Sequence, residues 1–307
     1  MVYAIARRIA AGLLTLFVLL TLTFFLLRAA PGGPLDRERA LPPRIEAAIA
    51  ERFHLDEPLW AQYGRYLSGV LRGDLGPSFQ YDGYEVNELI GAGLPASAQL
   101  GALALLLALL VGTTLGALCA LHANRWPDRL LMGLVLTGIS LPNFVVAPLL
   151  ILLFAVNLGW LPAGGWQNGE VADLVLPVIA LALPQLAYVA RLTRTGLAEA
   201  LQSGFVLAAQ ARGLPQRRIL LRHALPPALL PVLSYLGPAA AGLITGSVVV
   251  EQVFGIPGVG RHFVQGALNR DYTLVLGVVL VYGALIVLFN LLVDLLYGIL
   301  DPRMRST

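Results

Sequence analysis

Residues 205–231 read FVLAAQARGLPQRRILLRHALPPALLP, and the fold turns on how that stretch is understood. It carries Arg212, Arg217, Arg218 and Arg222 with no acidic residue, and long apolar runs flank it on both sides. A polar helical segment held between such runs implies that the runs cross a membrane and that the segment emerges on one side. Phe205 to Arg212 reads as a short helix, stopped by Gly213 and closed off by Pro215. A second helical start at Gln216 leads through Pro226 and Pro227 into the next apolar run.

Composition extends the reading to the whole chain. Its 307 residues are 57% hydrophobic and 13% charged, with a mean hydropathy of +0.76. Soluble domains hold about 25% charged residues, so this is a polytopic membrane protein. The isoelectric point of about 9.2 comes from arginine alone, since no lysine occurs. A phosphate-binding loop needs a lysine at the phosphates, which excludes a Walker-type ATPase. Cys119, the sole cysteine, lies in an apolar run and rules out an intrachain disulfide.

Six spans are expected. The first, Ile9 to Leu27, is uncharged and preceded by Arg7 and Arg8. It is longer than the apolar region of a signal peptide and ends at Arg28, so it reads as a retained anchor. Ala96–Leu121, Leu130–Gly169, Leu174–Ala190, Ala224–Val250 and Tyr272–Val293 follow, each near the roughly 20 residues a helical crossing requires. Between the first two spans, Ala30 to Gly93 holds ten acidic and six basic side chains. There Ile45, Ala48, Ile49 and Phe53, then Leu59, Tyr63, Leu67 and Leu71, recur at helical spacing and predict two short amphipathic helices. The expected domains are an anchor helix over 1–29, an external loop over 30–95, and a core over 96–307 with a cytoplasmic loop over 191–231.

Arginines set the orientation. Arg7, Arg8, Arg125, Arg129, the six from Arg191 to Arg222, and Arg303 and Arg305 all fall on one side. The positive-inside rule makes that side cytoplasmic and places both termini there. The fifth span is dense in small residues (Gly237, Ala239, Ala240, Ala241, Gly242, Gly246, Ser247), which suits an interior helix or a passage lining.

Chemistry-bearing constellations are scarce. The histidines His54, His122, His223 and His262 are scattered and lack ligand spacing, so no metal site is expected. No catalytic triad pattern stands out, and no catalytic residue is assigned. Asp294 reads as a carboxylate reaching toward water or an arginine near the end of the last span. Glu251 reads as interfacial at the external end of the fifth. Ser140, Asn143, Gln185, Tyr188, Thr245 and Ser247 are polar groups in otherwise apolar spans. They suit the lining of a passage or helix–helix hydrogen bonding equally well.

Over 205–231 the chain resembles the permease subunits of ABC importers, whose cytoplasmic loop carries E-A-A-x3-G-x9-I-x-L-P. Leu207-Ala208-Ala209, Gly213 and His223-Ala224-Leu225-Pro226 match in register, with Leu207 in place of the Glu and His223 in place of the Ile. The form A-x-A-R-G-L with a later R-H-A-L is similar to the dipeptide/oligopeptide/nickel branch, where Pro227 stands in place of a more usual Asn. Further matches to the first of that branch's two permeases cover the chain. They are Leu55 to Leu59, Gln62-Tyr63, Arg72 to Phe79, Ser140 to Phe144, Gly159 to Pro162, Glu251 to Gly260, and Asp294 through Arg303. Pro31-Gly32-Gly33-Pro34 stands where P-G-D-P is typical.

The resemblance implies an all-α membrane protein with a core of five helices like the ABC type I importer permease. It implies a half-channel that moves dipeptides or oligopeptides across the inner membrane of a bacterium or archaeon by alternating access. A nickel or other solute importer of the same branch, a membrane scaffold and a secondary carrier are the competing readings. The implied partners are a second permease, two ATPase subunits that bind ATP and Mg, an external binding protein and membrane lipid, with no nucleic acid. The chain itself would be no enzyme and hold no cofactor. Phe205, Leu207, Ala208, Ala209, Arg212, Gly213, Leu225 and Pro226 would form the helix and turn that couple it to the ATPase.

Overall fold

The computed structural model describes residues 2–30, 53–167 and 170–300. The expected helix through Ile45, Ala48 and Ile49, the Pro31–Pro34 motif, and Asp301, Pro302, Arg303 and Arg305 lie outside them. The described residues form α1 (Val2–Ala29), α2 (Leu59–Leu71), α3 (Val86–Leu121), α4 (Trp126–Ser140) and α5 (Asn143–Asn157). After these come α6 (Val171–Leu201), α7 (Gly204–Ala211), α8 (216–228), α9 (Leu230–Phe254), α10 (Val259–Leu268) and α11 (Tyr272–Leu300). Among the described residues, five helices (α1, α3, α6, α9 and α11) are long and apolar enough to cross a membrane, or six if the bent pair α4/α5 counts as one span.

That pair corrects the expectation of one straight run from Leu130 to Gly169. The chain bends by 107° between Ser140 and Asn143. Pro142 disfavours helical geometry in the residue before it, and Leu141 is accordingly extended (φ −95°, ψ 119°). Pro142 then caps the start of α5. The winding of α5 widens to π over Ile151–Asn157. The expected start of the fifth span at Ala224 is also corrected. Ile219–Ala224 is π-wound and belongs to α8, and α9 begins only at Leu230, after the prolines at 226 and 227.

Two compact units divide the chain: Val2–Pro95 with Pro257–Leu285, and Ala96–Ile256 with Ile286–Thr307. In the first, α1 turns Leu13, Leu14, Leu22 and Leu26 outward and buries Leu20 and Phe24. Gly283 of α11 meets Leu16 and Leu19 of α1, and Gly277 meets Val86, Ile90 and Leu75. On α2 the expected face is rotated. Leu59 and Leu71 are 48% and 81% exposed, whereas Gln62 is buried. Burial of a polar group requires partners. Gln62 has them: its amide donates to the carbonyls of Leu55 and Glu57, and its oxygen accepts from Arg28 Nε. Asp271, also buried, caps α11 by accepting from the N–H of Leu274 at 3.0 Å. It ties down the preceding loop through Ser78 Oγ and the N–H of Gln80.

In the second unit α6 is the hub. Lipid offers helices no hydrophobic reason to associate, so close packing must hold them together. A Cβ at Gly112 of α3 would lie 2.8 Å from the Leu186 carbonyl oxygen, and one at Gly116 would run into that of Ala190. From α4, a Cβ at Gly138 would lie 3.0 Å from the Leu183 oxygen. A charged pin adds to the α4–α6 contact. Arg194 Nε and Nη2 each donate at 2.6 Å to the two oxygens of Asp128, whose Oδ2 also accepts from the N–H of Asn124. Glu251, expected at an interface, is instead fully buried, and its carboxylate accepts from Ser97 Oγ at 2.7 Å. A carboxylate at that depth is tolerable only because it is hydrogen-bonded.

Two predictions follow from this packing. Gly116→Ala destabilises the purified protein by about 1–3 kcal/mol through overpacking. Gly133→Ala, where nothing lies within 4 Å, is neutral or stabilising by up to about 1 kcal/mol. Thermal unfolding in one detergent measures both, and equal effects would refute the backbone-contact account. Asp128→Ala leaves Arg194 without its partner and costs about 3 kcal/mol. Because the two act as one pair, the Asp128→Ala/Arg194→Ala double variant loses clearly less than the sum of the single losses.

Candidate functional site

Two regions gather the residues singled out in the sequence. The first is an elbow at the end of α6. Ser203 opens α7, and Val206 and Ala209, three residues apart, turn inward. They pack with Ala120, Leu197, Ile219, Ala224 and Ala228, and Gly196 lets the Ala228 carbonyl within 2.7 Å of where its Cβ would be. The helix then stops abruptly. Gly213 takes φ +71°, a left-handed conformation open to glycine at little cost. Its N–H donates to the Gln210 carbonyl at 2.9 Å, and the Leu214 N–H donates to that of Ala209 at 3.3 Å. These two bonds are the Schellman pairing, completed by Leu214 packing into the same cluster as Ala209.

Pro215 follows at once as the cap of α8, its carbonyl accepting from the N–H groups of Arg218 and Ile219. So the turn is fixed from both sides. Of the coupling residues expected from sequence, Ala209 is buried and Leu225 is half-buried. Phe205 and Leu207 are 50% and 57% exposed, and Ala208, Arg212, Gly213 and Pro226 are also exposed. A short helix that holds itself by one face and offers Phe205, Leu207 and Ala208 on the other has an apolar surface free for a partner. Arg212, Arg217, Arg218 and Arg222 surround it, all exposed.

The second region lies along α9. Its glycines receive amide side chains from neighbouring helices. Gln185 Nε2 sits 2.5 Å from the Cβ position of Gly242, and Asn143 Nδ2 sits 3.0 Å from that of Gly246. Gln185 Oε1 accepts from the Tyr235 hydroxyl at 2.7 Å, and the Tyr235 ring lies against Tyr188 with centroids 5.3 Å apart. Arg191 stands over the other partner of that pair, 5.2 Å from the Tyr188 centroid. Asn143 Oδ1 is buried without a hydrogen-bond partner.

Asn143, Gln185 and Tyr188 therefore come together along α9. Ser140, Thr245 and Ser247 do not join them. Each hydroxyl donates to a carbonyl of its own helix, at Leu136, Ala241 and Ile244 respectively, and Ser247 is buried. Tyr235 and Asn290 were missed by sequence reasoning. Asn290 lies in an apolar span like the residues chosen and places Oδ1 against the Cβ position of Gly237. The pairing of an amide on one helix with a glycine on another leaves no mark in a single helix's periodicity.

Comparison with known proteins fits this architecture. Residues 112–306 match the model of the family described as binding-protein-dependent transport system inner membrane component. Residues 1–82 match the N-terminal model of the same kind of membrane component. The chain is 51% identical to the oligopeptide transport system permease protein OppB of Salmonella typhimurium, over 98% of each chain. It is 40% identical to the dipeptide transport system permease protein DppB of Bacillus subtilis, over 97% of this chain and 96% of that one. Among solved structures, the MetNI methionine ABC transporter in an inward facing conformation shares the fold. That match has a TM-score of 0.57 and 20% identity, over 69% of this chain and 96% of that one. An amino acid ABC transporter crystallised with histidines matches with a TM-score of 0.51 and 22% identity, over 71% and 94%. From its first helix to its last, the chain belongs to the binding-protein-dependent transport system inner membrane component family.

Proposed function

We propose that this chain is the membrane-spanning permease of an ATP-driven importer of dipeptides or oligopeptides. The reading rests above all on its end-to-end likeness to an oligopeptide permease at 51% identity. On this reading the exposed face of α7, with Phe205, Leu207, Ala208 and Arg212, seats in a cleft of an ATPase subunit. That subunit and its twin bind ATP and Mg, a second permease completes the passage, and an external binding protein delivers the peptide. Both termini and the elbow face the cytoplasm. The chain performs no bond-breaking chemistry. Its part is mechanical: ATP binding shifts the population between two arrangements of the helices.

The elbow suits such a role physically. Closure of the ATPases moves α7, and the Schellman turn with its capping proline resists bending, so displacement passes to α8 and on to α9. Along α9, Asn143, Gln185, Tyr188 and Tyr235 supply the amide and hydroxyl groups that a peptide backbone requires. Ser140, Thr245 and Ser247, whose hydroxyls bond their own helices, stand outside that set.

Gly213→Leu tests the mechanism. A side chain in the left-handed region costs about 1–2 kcal/mol per residue, enough to distort the turn without preventing membrane insertion. Peptide uptake by the assembled transporter is expected to fall about tenfold or more while ATP hydrolysis continues. Unchanged uptake would remove the coupling role of the turn. Collapsing ion gradients with ATP intact leaves uptake running; arrest would reassign the chain to a secondary carrier.

A further inference from the structure

A cavity of about 210 Å³ lies in the unit built from Val2–Pro95 and Pro257–Leu285, away from both regions described above. Among its lining groups are Arg28, His54, Arg65, Tyr66, Asp74 and Thr273. Arg28 stands in the last turn of α1. Its guanidinium is held in place on two sides: Nε donates to the fixed Gln62 oxygen, and the group stacks 3.6 Å over the Phe24 ring. Among the described residues, Nη1 is buried and has no hydrogen-bond partner, and the Tyr66 hydroxyl is buried and unpartnered as well. Burial pushes the Tyr66 phenol up, which keeps it a neutral donor.

A buried donor without its hydrogen bond is expensive, more so when it is charged, and here one charged and one neutral donor border one cavity. Of the two lining arginines, Arg65 is paired with Glu57 at 2.6 Å, which leaves the Arg28 guanidinium as the lining arginine without an ion pair among the described residues. The missing group is therefore an acceptor with negative charge. Water alone supplies the acceptor but not the charge. Height in the membrane narrows the choice. Arg28 ends a helix long enough to cross the bilayer, on the face opposite the amino terminus. Phe24, Phe25 and Tyr63 form an aromatic cluster beside it, with rings 5.1 to 5.5 Å apart, and Tyr63 bonds Thr21. Tyrosines such as Tyr63 are enriched at the level of lipid headgroups. Below Arg28 on the same helix, Leu22, Phe25 and Leu26 are exposed and offer acyl chains a surface.

We propose that Arg28 and Tyr66 bind the phosphate of a phospholipid headgroup in the leaflet opposite the amino terminus. The phosphate oxygens accept from Arg28 Nη1 and the Tyr66 hydroxyl inside the cavity, and the acyl chains run down the exposed face of α1. At about 30 Å³ for each liquid water displaced, the cavity has room for the phosphate. A free phosphate ion would satisfy the same donors, and the experiment separates the two sources.

The full-length chain in mild detergent is mixed with phosphatidylglycerol, or with inorganic phosphate alone, and bound species are counted by native mass spectrometry. The wild type should retain a phospholipid that Arg28→Gln and Tyr66→Phe each lose by about tenfold, the worth of one charge-assisted hydrogen bond. Arg72→Gln, at the exposed residue that caps the end of α2 outside this cavity, should retain it fully. Tyr66→Phe deletes only a hydroxyl and covers the case in which Arg28→Gln fails to fold. Equal lipid retention in all variants would overturn the proposal. Retention of inorganic phosphate with no selective loss of lipid would overturn the lipid assignment and leave a free-anion site.

Discussion

Close backbone approach around α6 is the constraint on which the unit containing the elbow depends. Inside a bilayer, burying an apolar side chain against protein gains little over leaving it in lipid. Association has to come from dense contact, and contact is densest where Cβ is absent. Gly112, Gly116 and Gly138 bring the backbones of α3 and α4 against the carbonyl oxygens of Leu186, Ala190 and Leu183. Gly196 does the reverse, letting the Ala228 carbonyl of α8 approach α6 itself. These contacts are short-ranged and unforgiving, so they fix the rotation of α6 as well as its position. The bidentate Arg194–Asp128 pair then fixes its height against α4.

A rigid α6 gives the elbow its meaning. Beyond Leu201 the chain makes a short helix, a left-handed glycine and a proline-capped helix, and each joint is closed by backbone hydrogen bonds. Val206 and Ala209 rest on the same cluster that receives Ile219 and Ala228. Force applied to the outer face of α7 therefore meets a stiff body, with α6 on one side and α8 on the other. The weakest region downstream is the stretch 226–229, where two prolines have removed helix donors before α9 starts. If α7 is displaced, that is where the helix path can change.

Much of this was legible in the sequence because membrane crossing imposes a coarse rule: about 20 apolar residues in helical form. Apart from the run Leu130–Gly169 and the start of the fifth span, the spans, the stop at Gly213 and the restart at Gln216 follow from local chemistry, and the structure has them. What stayed hidden depended on a neighbour. The break at Pro142 reads no differently from Pro148, Pro177 or Pro184, which helices absorb. Only surrounding structure decides which proline bends the chain. The burial of Gln62 has no sign in the apolar periodicity of α2, which cannot see that Arg28 donates to its amide oxygen. Glu251 looked interfacial because its partner, Ser97, is 154 residues away. The Gly112–Gly116 spacing marks a packing face, but it does not say which helix it faces.

The polarity of the α9 surface has the same origin and carries a consequence for motion. Gly242 and Gly246 contribute no side chains, so the amides beside them belong to α6 and α5. A helix presenting bare backbone at a contact has no rotamers to rearrange when it slides or turns. Its steric resistance comes from Cα and carbonyl atoms, which vary little along the helix. The Tyr235–Gln185 bond is different, since it is directional and joins α9 to the fixed α6. Any shift of α9 driven from α8 must stretch that bond or exchange it for another acceptor. A peptide carbonyl beside Tyr235 would be such an acceptor, and the freed Gln185 amide could then turn to the peptide as well. Movement of the helix and capture of the cargo would thus draw on the same two side chains, and each would favour the other.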